Sequence, residues 1–589
     1  MRRFIIGFFA VIGVVTFIGF VGLVGLTVAL VRYNQPTPLP DSIVLTADLT
    51  GGLSDEPDPS RASQLLFGNA TTLRDFVDAV NRAADDSRVQ SLYIELGDDK
   101  LGLGKTQQVR DTIAAFRAKG KVVIVFADTF GEGGPGTRPY YLATACNEIW
   151  LQPLGAVGLT GLRSEASFLR GFFDKIGVSA DFEHREEFKT AMNTFTETQM
   201  TAAQREELDG LLTSLWGQIS RDIAGARKLA PDKITSIADR APLNANEARS
   251  LGLVDKIGYR DQAMTAAWNH AAAGAKFMTI SRYLTKAGRP HASGSEIALI
   301  YGTGLITRGG SAAGSFAEET NFGARAIGRA FAAAARNKDV RAIIFRIDSP
   351  GGSATASETI WRQVEEARRN GKPVIVSMGD VAASGGYYVA APADKIVAEP
   401  ATLTGSIGVL AGKIVLGGLM EKLGITTDAV ERGANAGMFS AASAFSPSAR
   451  ERLNAELDDT YAGFKNHVAG GRHLSADAVE TAAKGRVWSG EDAKARGLVD
   501  ALGGYETALG LAREAAKLPA DARVNLVVYP KERGLLAKLN ARLRGDDDEA
   551  SSASVLQRGL TALRMMEAVA QAAFDENAAL RMAPLGEIR

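Results

Sequence analysis

Five segments of this 589-residue chain recur in the same order about 250 residues further on. Ile43-Val44-Leu45-Thr46-Ala47 returns as Ile297-Ala298-Leu299-Ile300-Tyr301, and Val89 to Leu96 returns as Val340 to Ile347. Gly120-Lys121-Val122-Val123-Ile124-Val125 returns as Gly371-Lys372-Pro373-Val374-Ile375-Val376. Tyr140-Tyr141-Leu142-Ala143 returns as Tyr387-Tyr388-Val389-Ala390, and Leu251-Gly252-Leu253-Val254-Asp255 as Arg496-Gly497-Leu498-Val499-Asp500. The offset drifts only from 254 to 245 residues, which small loop differences explain. An ordered series of this kind is an internal duplication, so each half must fold as a similar unit. Each half reads as strand, helix, strand, helix with short turns, the pattern of βαβ units on a mainly parallel sheet.

The two copies differ where chemistry could lie. In the second half the β-rich run Val340 to Asp348 ends in Ser349-Pro350-Gly351-Gly352-Ser353, and a helix-like segment follows from Ala356 to Asn370. The strand-like run Pro373 to Met378 leads to Ser384-Gly385-Gly386-Tyr387-Tyr388, with a helix expected from Tyr387 to Ala391. The first half has Gly97-Asp98-Asp99-Lys100 and Thr137-Arg138-Pro139 at the matching places. A residue needed only for folding should be needed in both copies, so Ser384 is read as functional. A serine on a glycine-flanked strand-to-helix turn presents its hydroxyl, with the Gly385 N–H aimed into the same space. A second glycine turn can add the N–H of Gly351 or Gly352, completing an oxyanion hole. The competing readings are a tight turn with a capping serine and a Pro-Gly-Gly strand breaker.

A serine nucleophile needs a base, either a histidine or a desolvated lysine. No histidine lies near the second-half motifs, and His184 stands among charges in Glu183-His184-Arg185-Glu186-Glu187-Phe188-Lys189, as on a solvated face. Composition does not choose among the lysines. The histidines (His184, His270, His291, His467, His473) form no ligand-spaced cluster, and Cys146 is the single cysteine. No metal, cofactor or intrachain disulfide is therefore expected. With 67 Lys+Arg against 67 Asp+Glu there is no basic field for nucleic acid.

Residues Phe4 to Val31 carry no charge and exceed the roughly 20 residues that span a bilayer. Arg2 and Arg3 precede this run, and Arg32 and a polar, Pro-rich stretch follow it. It is too long for a cleavable leader and lacks a small-x-small exit, so an uncleaved signal anchor is expected, with the N-terminus inside. The rest of the chain would then lie across the membrane, in the periplasm of a two-membrane bacterium.

Three motifs taken in order, Asp348-Ser349-Pro350-Gly351-Gly352, Ala383-Ser384-Gly385-Gly386-Tyr387-Tyr388 and Leu403-Thr404-Gly405-Ser406-Ile407-Gly408-Val409, resemble the signal peptide peptidase A family. The likeness is to its long, duplicated, membrane-anchored form and runs from the anchor to about residue 530. It implies an α/β fold of two tandem Clp protease/crotonase-like domains after an N-terminal transmembrane helix. The expected division is anchor 4–31, first repeat 41–282, linker 283–294, second repeat 295–530 and a tail 531–589. In the tail, 545–554 reads as a linker and 555–573 as an amphipathic helix. The resemblance also implies a Ser/Lys-dyad protease with Ser384 as nucleophile and Lys189, from the other half, as base. It assigns Ser406 to orient the lysine, beside the reading of an ordinary turn serine. Its implied substrates are cleaved signal peptides left in the membrane, its implied assembly a homotetramer. A crotonase-type acyl-CoA enzyme and a non-catalytic membrane scaffold are the rival readings.

The duplication agrees with a composite site, because the offset that takes Glu183 to Glu431 takes Lys189 to Gly437. A free lysine is charged at neutral pH and becomes a base only if burial lowers its pKa by several units. Glu186 and Glu187 oppose that if they lie close, and in an extended segment Glu187 would share a face with Lys189. The expectation is a Lys189 buried between the halves, with the Glu187 carboxylate turned away.

Overall fold

The computed structural model describes residues 38–56, 71–97, 100–309, 322–531 and 580–581. The apolar run 4–31 and the helix expected over 555–573 lie outside them. In the first half the strands lie in the order Lys256–Ile257, Glu148–Leu151, Val122–Ala127, Val89–Leu96, Ile43–Asp48, Lys276–Thr279, all neighbours parallel. In the second the order is Ala501–Leu502, Lys395–Ala398, Val374–Ala383, Val340–Ser349, Ser295–Thr303, Val524–Tyr529, again all parallel. The orders coincide strand for strand. Each half also carries an antiparallel pair, Ala156–Val157 with Leu243–Asn244 apart from the first sheet and Leu403–Gly405 with Val487–Ser489 continuing the second. The duplication is thus one of topology, with helices in the crossovers as parallel pairing requires.

The central strands are apolar on both faces because both faces are covered. Along Ser295–Thr303, Ala298 and Ile300 enter the second-half core. Ile297, Leu299 and Tyr301 instead join a cluster with Leu73, Phe76, Val80 and Leu103 of the first half. Along Val340–Ser349, Ile343, Phe345 and Ile347 face their own core, while Ala342 and Ile344 face the other half. The two-residue period of a strand sorts each set. The same face continues with charge. Arg346, 1% exposed, pairs with Asp55 at 2.9 Å, and Asp348 lies 2.7 Å from Lys105. Lys105 Nζ also lies 3.0 Å from Asp55 and 3.3 Å from Asp380. Burial alone would raise the Asp55 pKa, but Arg346 and Lys105 hold it down at about 2. Burial pushes Asp348 up to about 7 in spite of Lys105, aided by the like charges of Asp380 and Asp55.

Two segment boundaries differ from expectation. The linker expected over 283–294 begins inside the helix Ile280–Ala287, where Tyr283 is fully buried and its hydroxyl donates to Asp86 Oδ2 at 2.8 Å. The crossover between halves is therefore 288–294, because an aromatic facing a core at helical spacing extends the element. The strand expected to end at Met378 runs to Ala383, since Val381 to Ala383 pair with Leu403 to Gly405. Pairing carries the strand up to Ser384.

The buried pair across the halves gives a stability prediction. Asp55→Ala leaves the Arg346 guanidinium uncompensated in a dry seam, a loss of about 3–5 kcal/mol. Urea denaturation followed by tryptophan fluorescence should show this loss, with Asp55→Asn milder because it keeps an acceptor.

Candidate active site

An antiparallel pair crosses between the halves: Ser179–His184 of the first lies against Leu410–Val415 of the second, with Leu410 opposite His184. Arg450 bonds Asp181 and Glu183 beside it. The chain then leaves the strand at Arg185, whose N–H donates to Val409 O, and turns at Glu186 with φ of 69°. Phe188 N–H donates to Lys484 O, and the next side chain, Lys189, points into the second half with 0% exposure. Its Nζ donates to Ser384 Oγ at 2.8 Å, to Ser406 Oγ at 3.0 Å and to Ser406 O at 3.0 Å. Three residues singled out in sequence, Lys189, Ser384 and Ser406, thus meet at one nitrogen.

Glu187 does not join them. The turn at Glu186 removes the extended geometry that would have put Glu187 and Lys189 on one face, and Glu187 lies 3.6 Å from Lys484 instead. His184 Nδ1 is bonded to Glu186 O at 2.9 Å. Burial lowers the Lys189 pKa to about 7, against the opposing pull of Glu207. The unfolded chain holds this proton up to the ordinary lysine range, the folded chain only up to about 7. Stability therefore rises with pH across that window, and the cost of the site is full below it.

Both serines occupy backbone that favours glycine. Ser384 has φ of 54° and ψ of −116°, and Ser406 has φ of 50°. Ser384 N–H donates to Gly405 O and Ser406 N–H to Arg486 O, both at 2.8 Å. Such conformers cost of order 1–3 kcal/mol each and persist only where surroundings impose them. The short helix Gly385–Ala390 starts directly after Ser384, so the hydroxyl sits on a sharp strand-to-helix turn. The two glycines there are dictated by packing. A Cβ on Gly385 would lie 3.2 Å from Gly351 Cα and 3.2 Å from Gly352 N, and one on Gly386 would lie 2.7 Å from Ser349 O. The two glycine turns are therefore in contact. Gly351 N–H is donated to Ser349 Oγ at 3.1 Å, which leaves Gly352 as the candidate donor of that turn.

Two residues beside the lysine were not found by sequence. Gly485, φ 79°, fits only as glycine: a Cβ there would lie 2.5 Å from Lys189 N. Glu207, on the helix Ala202–Arg227, is 1% exposed. Its Oε1 accepts from Val487 N–H at 2.6 Å, while Oε2 is buried with no hydrogen-bond partner. Burial pushes its pKa up to about 7. A signal existed, because Glu207 falls on the buried stripe with Gln204, Leu208, Leu211 and Leu215, where a carboxylate is out of place. Among the described residues no group of His, Cys, Asp and Glu is arranged to hold a metal ion.

A serine hydroxyl on a strained turn, a buried amine against it and a second glycine turn in contact with the first are parts that a serine-type peptidase needs. The sequence model of peptidase family S49 matches residues 115–274 and 366–519, one segment in each half, and the chain belongs to this family. It is 31% identical over 499 residues to "Serine protease SPPA, chloroplastic" of Arabidopsis thaliana, covering 82% of this chain and 71% of that one. It is 30% identical over 501 residues to "Protease 4" of Salmonella typhi, covering 80% and 78%. Among solved structures, ClpP1 from Listeria monocytogenes aligns at 13% identity and a TM-score of 0.22, over 36% of this chain and 94% of that one. The protein is a serine-type peptidase of tandem α/β repeats.

Two substitutions test the surroundings of the lysine. Gly485→Ala should displace Lys189 and lower kcat/KM about a hundredfold with the fold retained by circular dichroism. Glu207→Gln keeps an acceptor for Val487 but removes the charge that raises the Lys189 pKa. The acid limb of the kcat/KM profile against pH should then move to lower pH; movement to higher pH or none would refute this coupling.

Proposed function

We propose that this peptidase works through a Ser384/Lys189 dyad, is held at a membrane by residues 4–31 and degrades hydrophobic peptides, with cleaved signal peptides as the substrate class. The observation that carries the reading is the 2.8 Å contact between Lys189 Nζ and Ser384 Oγ in a fully buried site. Neutral Lys189 accepts the Ser384 hydroxyl proton as Oγ attacks the peptide carbonyl carbon. The oxyanion is held by the N–H groups of Gly385 and Gly352. Lys189, now an ammonium, donates its proton to the leaving amine as the C–N bond breaks, and an acyl-enzyme ester remains. Water, deprotonated by the same amine, hydrolyses the ester and returns the proton to Ser384. Ser406, bonded to Nζ through both its hydroxyl and its carbonyl, holds the amine in line.

Lys189 enters from one half and Ser384 from the other, so neither repeat alone carries the site. An apolar span would keep the enzyme where apolar peptides accumulate. Assembly of four copies is the companion proposal. Phe172, Leu423, Ile425, Val430 and Phe439, between 49% and 88% exposed, lie on the segments that flank the crossing strands. An apolar surface of this kind suits an interface between copies.

The test is hydrolysis of a fluorogenic hydrophobic peptide by the full chain in detergent. Ser384→Ala and Lys189→Ala should each lose at least about a thousandfold in kcat, and kcat/KM of the parent should rise with pH through about 7 as Lys189 loses its proton. Near-parent activity in Lys189→Ala would mean another base.

A further inference from the structure

The seam between the halves holds a second polar space, apart from the dyad. A cavity of about 270 Å³ lies where the helices Leu103–Ala118, Thr137–Ala143 and Ala202–Arg227 of the first half meet Glu399 and Pro400 of the second. One water needs only about 15 Å³. Glu399 lines this cavity, is 1% exposed, and has both carboxylate oxygens buried with no hydrogen-bond partner. Its main chain is fixed in place. The N–H donates to Thr402 Oγ1 at 3.1 Å, and a Cβ on Gly490 would lie 2.0 Å from Glu399 O. The fold itself does not demand an acid here. The 247-residue offset that takes Tyr140 to Tyr387 takes Gln152 to Glu399, so the first copy holds a neutral amide at this place.

The other charged groups that face Glu399 have partners elsewhere. Arg110 donates Nη1 to Tyr141 O and Thr144 Oγ1, and Asp222 accepts from the Tyr141 hydroxyl at 2.5 Å. Arg117 donates Nη1 to Ala145 O at 2.6 Å, while its Nε is buried without a partner. Arg346, whose charge reaches Glu399 from the strand Val340–Ser349, is paired with Asp55 at 2.9 Å. Asp111 lines the same cavity, and its charge disfavours that of Glu399. Burial, aided by Asp111 and opposed by Arg346, pushes the Glu399 pKa up to about 8. A buried carboxyl in such a place keeps its proton unless a cation is supplied. Among the described residues no group of His, Cys, Asp and Glu is arranged to hold a metal ion, so the donor set does not suit a bare metal. The volume and the Ala114, Ala145 and Pro400 walls suit a short alkyl chain.

We infer that this cavity binds a small organic cation, an alkylammonium or alkylguanidinium, whose N–H groups donate to Glu399 with Asp111 as the second counter-charge. The ligand bridges Asp111 of the first half and Glu399 of the second, so its binding adds to the stability of the whole chain by mass action. Neither Ser384 nor Lys189 takes part. The cation pairs with the ionised carboxylate and therefore displaces the Glu399 proton below about pH 8. Its affinity rises with pH up to that point. A free diamine and the basic side chain of a peptide share this chemistry.

The experiment is calorimetric titration of the full chain in detergent with cadaverine and with agmatine at neutral pH. Each titration is run in phosphate and in HEPES, whose heats of ionisation differ. Saturable binding of one ligand per chain is expected, with close to one proton released to the buffer. Glu399→Gln should weaken binding at least about tenfold, with Tm in the absence of ligand kept or raised because an unpaired buried acid is gone. Asp111→Asn, on an exposed residue, should weaken it less. The uncharged diol of the same length as cadaverine should not bind. No saturation, equal binding by Glu399→Gln, or binding without proton release overturns the inference, as does displacement of the amine by equimolar magnesium chloride. A second arm titrates an acetylated, amidated Ala-Ala-Lys-Ala-Ala peptide. Tighter binding of the free amine identifies a small-molecule ligand, and tighter binding of the peptide identifies a basic side chain. No arm needs catalysis, so the outcome is independent of whether the Ser384/Lys189 dyad stands.

Discussion

Everything at this site depends on keeping one amine dry. An ammonium in water has no reason to give up its proton at neutral pH, and no hydrogen bond to a serine changes that. Removing Lys189 from solvent does, because the charged form loses its hydration and gains only hydroxyl and carbonyl partners in return. The preference for the neutral amine is worth several kcal/mol and is taken from folding stability. A single repeat would be hard pressed to bury a long side chain so completely at the mouth of its own sheet. Two repeats can, because the strand Ser179–His184 crosses over and the lysine follows it into its neighbour.

The enclosure is shaped by backbone as much as by side chains. Gly485 leaves room for the Lys189 main chain, and Gly408 for its stem, where a Cβ would stand 3.2 Å from Cδ. Ser384 and Ser406 stand at positive φ, so their hydroxyls are aimed by strained turns rather than by rotamer choice alone. That strain is held by parallel pairing with Leu403–Gly405, whose last carbonyl, Gly405 O, accepts the Ser384 N–H. Glu207 adds a second proton-binding group behind the lysine. Burial raises the Glu207 pKa and lowers that of Lys189, and the charge of each opposes the shift of the other.

Holding the halves in register is a separate task. It falls to the face of Val340–Ser349 that looks across the seam. Apolar at Ala342 and Ile344, this face becomes ionic at Arg346 and Asp348, directly before the Ser349-Pro350-Gly351-Gly352 turn. Lys105 ties Asp55, Asp348 and Asp380 together, and so joins the first half to the ends of both strands that lead into the glycine turns. Buried charge is an inefficient glue by energy alone. Its use here fixes position, because Asp348 and Asp380 reach Lys105 alone while Asp55 is held between Lys105 and Arg346.

Strand alternation, helix periodicity and ordered repetition are local properties, so the tandem α/β fold could be read from the sequence. Ser384 stood out for the same reason, since one copy of a duplicated turn kept Ser-Gly-Gly and the other did not. The end of the Ile280–Ala287 helix and the reach of Val374–Ala383 were misjudged because burial of Tyr283 and pairing with Leu403–Gly405 set them, and neither partner is near in sequence. Glu207 and Gly485 stayed hidden because their meaning is a contact across the seam. The sequence by itself determined two similar sheets and a serine on a glycine turn, while the choice of a lysine that its duplicate lacks came from the family resemblance. Only the tertiary structure decided that 195 residues of separation close to 2.8 Å, that Glu187 turns to Lys484 and that the lysine is dry. Desolvation belongs to the whole surrounding protein, and no window of sequence contains it.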